Sequence, residues 1–181
     1  MARQIALLRG VNLGGQKRVQ MARLRELVQQ LDYRDVTTYV QSGNVVFSGP
    51  GEPPAQLARK LEQQLAATFG FEVSVVVRSR DELAEIIAAN PLRDVATDPA
   101  RYLVIFLAAD VNPARVAGVD PADFAPEAFH VRDREVYLWA PEGLRDSRLH
   151  KALSEKRLGV CATARNWRTV ERLLVLADEA A

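Results

Sequence analysis

The chain has very little cysteine and histidine: Cys161 is its only thiol, and His130 and His150 are its only imidazoles, in 181 residues. A single thiol excludes a disulfide framework. Because Cys161, His130 and His150 fall in no metal-ligand spacing, no metal site and no cofactor is expected. Cys161, flanked by small and apolar neighbours, reads as a packing residue. Long apolar runs are also missing. The longest, such as Tyr102 to Ala109, fall well short of the roughly 20 residues a membrane-spanning helix needs, so no membrane partner is expected. Charge of one sign is missing too. Lys and Arg number 24 against 23 Asp and Glu, so the overall field of a nonspecific nucleic-acid binder is absent and nucleic acid is not an expected partner. Any phosphate recognition must be local. A Met1 start without an apolar leader, together with the lone cysteine, points to the cytoplasm.

What is present is an ordinary globular composition, enough for one core or for two small halves sharing one. Ile5 to Leu8 is strand-like, and Met21, Leu24, Leu27, Val28 and Leu31 recur at helical spacing. Val36 to Gln41 reads as a second strand, Ser42-Gly43-Asn44 as a tight turn and Val45 to Ser48 as a third strand. Leu57, Leu61, Leu65 and Phe69 mark a second helix that starts near Pro54 and closes at Gly70, and Val73 to Val77 is a fourth strand. The order βαββαβ is the ferredoxin-like arrangement, complete by about residue 78.

Ser79 and Glu82 form a capping box for a helix that stops at Asn90-Pro91. Residues 79–181 then read as a smaller α+β half. It contains the strand Tyr102 to Leu107, a short helix entered at Asn112-Pro113, and a hairpin of Ala128 to Val131 with Glu135 to Trp139. A helix from Ser147 through Arg157 and a terminal helix from about Trp167 follow. This is a βαββ-like pattern with a terminal helix, without a visible sequence repeat. The fold class is therefore α+β, with a ferredoxin-like half, 1–78, packed against a second half, 79–181. Central strands apolar on both faces call for a shared core.

The chain is organised around Arg9-Gly10-Val11-Asn12-Leu13-Gly14-Gly15-Gln16-Lys17-Arg18, a strand-to-helix loop. Its glycines allow backbone N–H groups to approach a ligand, and Arg9, Lys17 and Arg18 add positive charge. Gly10 and Gly15 have the spacing of the framing glycines of a phosphate-binding P-loop, but Gln16 stands where that motif has Lys and no Ser or Thr follows Lys17. In βαββαβ the first and second strands run parallel, so the loop leaving the first and the turn leaving the second share one sheet edge. The expected site is that edge: Arg9 and Lys17 as anion contacts, the backbone of Gly10, Gly14, Gly15 and Gly43, and Asn12, Gln41, Ser42 and Asn44 as hydrogen-bonding groups. Arg165 and Asn166, where Asn166 caps the last helix, are a less fixed third side. The expected partner is a phosphate-bearing small molecule or nucleotide, and the alternative is a protein-interaction module in which the glycines only make a turn. RNA binding is the weaker reading, because the first strand has no aromatic and the third offers only Phe47. No nucleophile with a base and no carboxylate pair of convincing spacing is present, so no reaction follows.

Leu8-Arg9-Gly10-Val11-Asn12 with Gly14-Gly15, Tyr39-Val40-Gln41-Ser42-Gly43-Asn44-Val45-Val46-Phe47, and Thr163-Ala164-Arg165-Asn166-Trp167 with Thr169-Val170 resemble the motifs of domain-of-unknown-function family 1697. The resemblance spans essentially the whole chain. It implies a two-part α+β protein with a ferredoxin-like first half, and it implies no activity or cofactor.

Overall fold

The computed structural model describes residues 1–179, which form two compact units: Met1–Glu85 with the stretch from Arg172 onward, and Ile86–Glu171. In the first, β1 (Ala2–Leu8), α1 (Met21–Gln30), β2 (Arg34–Tyr39), β3 (Asn44–Gly49), α2 (Pro54–Phe69) and β4 (Val75–Ser79) follow in chain order. The sheet order is β2-β3-β1-β4 with every neighbour antiparallel, the ferredoxin-like topology. Helix α1 buries Met21, Leu24, Leu27 and Val28, and α2 buries Leu57, Leu61 and Leu65. These stripes pack with Ala6, Leu8, Val45, Phe47, Val75 and Val77 in one cluster, each large side chain contributing roughly 1.5–3 kcal/mol by leaving water. Phe47 is fully buried and its ring lies 4.9 Å from that of Tyr33, so it is core and no base-stacking platform. Ile5, Leu7, Val46 and Val76, on the opposite face, are buried as well.

The ends of these elements follow local chemistry. Pro54 opens α2 and Gly70, at φ 78°, closes it. Ser79 N–H donates to Glu82 Oε2 at 2.7 Å and Glu82 N–H to Ser79 Oγ at 3.1 Å, the reciprocal capping box at the start of α3 (Arg80–Ala89). The first hairpin differs from expectation. Val40 and Gln41 belong to the turn and Asn44 to β3. Val40 has the β propensity of a strand residue, yet the reversal holds it at φ 50°.

The second unit contains β5 (Tyr102–Leu107), α4 (Pro113–Val116), β6 (Ala128–Arg132), β7 (Glu135–Trp139), α5 (Arg148–Ala152), α6 (Glu155–Leu158) and β8 (Ala162–Asn166), and α7 (Trp167–Glu179) begins in it. Its sheet order, β6-β7-β5-β8, repeats that of the first unit. The βαββ pattern thus runs on to a further strand. Residues 162–166 have no β-branched run, and the two positions β8 buries are Thr163 and Arg165, so the usual apolar alternation is disguised. The helix expected from Ser147 through Arg157 is two short ones, α5 and α6, separated by Leu153 and Ser154. Leu149 and Leu158 are both buried, but a continuous helix would place them on opposite sides.

Two phenols anchor this unit. Tyr137 O–H donates to Ile86 O at 2.8 Å, and Tyr102 O–H to Asn90 Oδ1 at 3.0 Å while its ring stacks on Trp167 at 4.7 Å. Burial pushes the Tyr137 phenol up to about 12 and raises that of Tyr102 further. Below the ordinary phenol range, near pH 10, both folded and unfolded states keep these protons. Above it the unfolded chain ionises and the folded one resists, so stability falls as pH rises from about 10 toward 12. Urea midpoints between pH 8 and 11 should show this fall, and Tyr137→Phe should make it shallower. An unchanged profile in the variant would contradict it.

Candidate functional site

The end of β1 is pinned on both sides. Leu8 N–H donates to Gly43 O at 2.8 Å, and Arg9 N–H to Ser74 O at 2.9 Å. The Gly10 loop and the Gln41–Gly43 turn are therefore neighbours at one sheet edge, with the segment entering β4 beside them. Past the buried Val11, the chain forms a miniature hairpin: Asn12 N–H reaches Lys17 O at 3.1 Å, Gln16 N–H reaches Leu13 O at 3.2 Å, and Leu13 pairs with Gln16. Gly14 and Gly15, at φ 58° and 83°, occupy its tip, where positive φ at both central residues is the mark of a type I′ turn.

Asn12 ties this hairpin down. Its amide nitrogen donates to Val19 O at 2.9 Å and to Gln41 O at 2.7 Å, and its Oδ1 accepts from Val19 N–H at 2.9 Å. The carboxamide is engaged with the chain at both atoms and acts as a positioning group. Asn44 is fully buried, and its amide bonds Tyr39 O and Ser42 Oγ. It shapes the turn from inside. Gly43 packs so closely on Leu8 and Val11 that no Cβ fits there. Lys17 Nζ donates to Glu72 O at 2.8 Å, which fastens the hairpin to the α2–β4 loop, and Arg9 is exposed beside Gly10.

A cleft of about 690 Å³ opens at this edge. Of the expected residues, Asn12, Gly15 and Gln41 line it. The rest of its wall comes from residues outside the expected set: Arg18, Val19, Gln20 and Arg23 where the chain enters α1, and Thr68 and Phe69 at the end of α2. The two helix ends polarise it. α1 presents its N-terminus with no side-chain cap from Gln20 and no acidic residue in its first turn, and α2 presents its carbonyl end with no basic residue in its last turn. Arg23 pairs with Glu26 at 3.0 Å, but both side chains are at least half exposed, so the pair is worth at most about 1 kcal/mol and yields readily to a ligand.

Residues 1–137 match the family described as protein of unknown function (DUF1697). The chain belongs to that family. A solved structure of the same fold, that of the conserved bacterial protein SP0830 from Streptococcus pneumoniae, shares 25% identity over 97% of this chain and 98% of that one, with a TM-score of 0.76. No curated protein matches.

Elsewhere in this DUF1697 chain, Arg165 and Asn166 lie in the second unit. Arg165 is buried and donates to Thr163 Oγ1 and Ala164 O, both at 2.8 Å, and burial lowers its guanidinium to about 10. Asn166 Oδ1 accepts from Thr169 N–H at 2.9 Å and caps α7. Cys161 is only partly buried. Among the described residues no group of His, Cys, Asp and Glu is arranged to hold a metal, and no helix is long and apolar enough to cross a membrane.

Proposed function

We propose that the protein binds a small phosphate-bearing molecule in this cleft and works in the cytoplasm, where a chain with a lone thiol needs no oxidising compartment. Arg18, Arg23 and the backbone amides opening α1 are the anion contacts. Gln20 and Gln41 supply hydrogen bonds, and Asn12 and Lys17 hold the loop in place. The observation that carries this reading is the uncompensated positive helix end set between two arginines in the wall of a ligand-sized cleft. Arg9 lies at the same edge and adds to its field.

A thermal-shift screen against inorganic phosphate, sugar phosphates and nucleotides tests it. A ligand at 100 times its Kd should stabilise the fold by about 2.7 kcal/mol, a rise in Tm of roughly 5–10 °C for a chain of this size. The double variant Arg18→Ala with Arg23→Ala should lose the shift and keep its ligand-free Tm. No shift with any phosphate compound would refute the proposal. Leu13, 67% exposed, and Val40, 50% exposed, in the neighbouring hairpin and turn favour the second reading, a protein-interaction surface at the same edge.

A further inference from the structure

The two helices that line the cleft offer it different chemistry. Its α1 side is cationic, with Arg18, Arg23 and an uncapped helix N-terminus. Its α2 side is aromatic and acceptor-rich: Phe69 lines the cleft as the last residue of α2, half-buried, with the Phe71 ring 6.1 Å away, and the helix ends there in carbonyls that no basic residue of its last turn offsets. Gln20 and Gln41, each with a donor and an acceptor on one flat group, also line it. A bare sugar phosphate would use the first side and leave the second idle. A molecule with an anion at one end and a flat, N–H-bearing aromatic ring at the other would use both.

From this we infer that the ligand is a nucleotide, its phosphate at the start of α1 and its base against Phe69, a refinement that rests on the phosphate reading above. Base–aromatic stacking tolerates any base, since every base has a π face, so the ring of Phe69 contributes affinity and the carboxamides of Gln20 and Gln41 choose among bases. The negative end of α2 fixes the orientation: it repels the phosphate and accepts hydrogen bonds from ring or exocyclic N–H groups. The cleft volume of about 690 Å³ lies within the roughly 300–1,000 Å³ of small-molecule sites.

Titration calorimetry with adenosine 5′-monophosphate, uridine 5′-monophosphate and ribose 5-phosphate decides the matter. The nucleotides should bind at least about tenfold more tightly than ribose 5-phosphate. Phe69→Leu, which keeps an apolar side chain, should reduce adenosine 5′-monophosphate to the affinity of ribose 5-phosphate and leave ribose 5-phosphate unchanged. Phe69→Tyr, which keeps the ring, should retain the nucleotide preference, and the Arg18→Ala, Arg23→Ala variant should weaken all three ligands alike. Equal binding of ribose 5-phosphate and nucleotides, or full nucleotide affinity in Phe69→Leu, overturns the nucleotide assignment and leaves the phosphate site standing. Binding by none of the three overturns both.

Discussion

Gly43→Ala is expected to lower the Tm by about 10 °C, whereas Gly14→Ala, in the same cluster of loops, should lower it by only about 3 °C. The difference comes from what the added methyl meets. At Gly43 an ideal Cβ would lie 2.6 Å from Leu8 Cβ and 2.8 Å from Val11 Cγ2, with the backbone at φ 75°. Leu8 and Val11 are both buried and Leu8 N–H is bonded to Gly43 O, so neither neighbour can step aside without breaking the end of β1. Overpacking costs about 1–3 kcal/mol and the left-handed backbone about 1–2 kcal/mol more, together roughly 3 kcal/mol. At Gly14, φ is 58° but no atom lies within 4 Å of the added Cβ, so only the backbone cost, about 1 kcal/mol, applies. Thermal melts of the two variants check this. Equal losses would mean that the Gly43 turn does not pack on Leu8 and Val11 as described.

Asn12→Ala should be nearly as costly, and it should weaken ligand binding although the Asn12 carboxamide is engaged with protein atoms. The substitution removes the bonds to Val19 N–H, Val19 O and Gln41 O and places an alanine at φ 57°. With about 1 kcal/mol for each lost bond, tempered by solvent access, and about 1 kcal/mol for the backbone, the loss is on the order of 3 kcal/mol. Asn12→Gly adopts the same φ freely and so isolates the hydrogen bonds. It should recover only the backbone part in urea unfolding. Both variants should bind phosphate compounds more weakly than the parent, because the Gly10 hairpin that forms one wall of the cleft is no longer held to the Gln41 turn. A variant with intact affinity and reduced stability would remove Asn12 from the site and leave it a structural tie.

The amino-acid sequence determined the ferredoxin-like first unit almost completely. Its helices carry unbroken 3.6-residue stripes, its strands are apolar runs, and its boundaries are marked by local chemistry: Pro54, Gly70 and the Ser79–Glu82 box. Topology alone then brought the Gly10 loop to the Gln41–Gly43 turn, since parallel β1 and β2 must end at one edge. The match of residues 1–137 to the DUF1697 family covers two of the three motifs read along the chain, and the third, at Thr163 to Val170, lies beyond it. Only tertiary structure decided the rest. β8 escaped notice because Thr163 and Arg165 point a polar pattern into a buried strand, and Val40 because packing at a turn overrode its β propensity.

The same division holds at the candidate site. Sequence placed the glycines there as ligand-facing backbone, but hydrogen bonds beyond the reach of local patterns show Gly14 and Gly15 making a turn and Asn12 and Lys17 fastening it. In the sequence Arg18 reads as part of the loop's positive charge but not as a site residue, Phe69 reads only as a marker of the second helix, and Arg23 does not stand out. One signal was legible: α1 opens with Arg23 and no acid in its first turn, against the preference of the helix dipole. Phe69, at the end of α2, lines the same cleft as the start of α1; the topology brings those two helix ends to one sheet edge, but only tertiary packing decides that a cleft opens there and that this ring lines it.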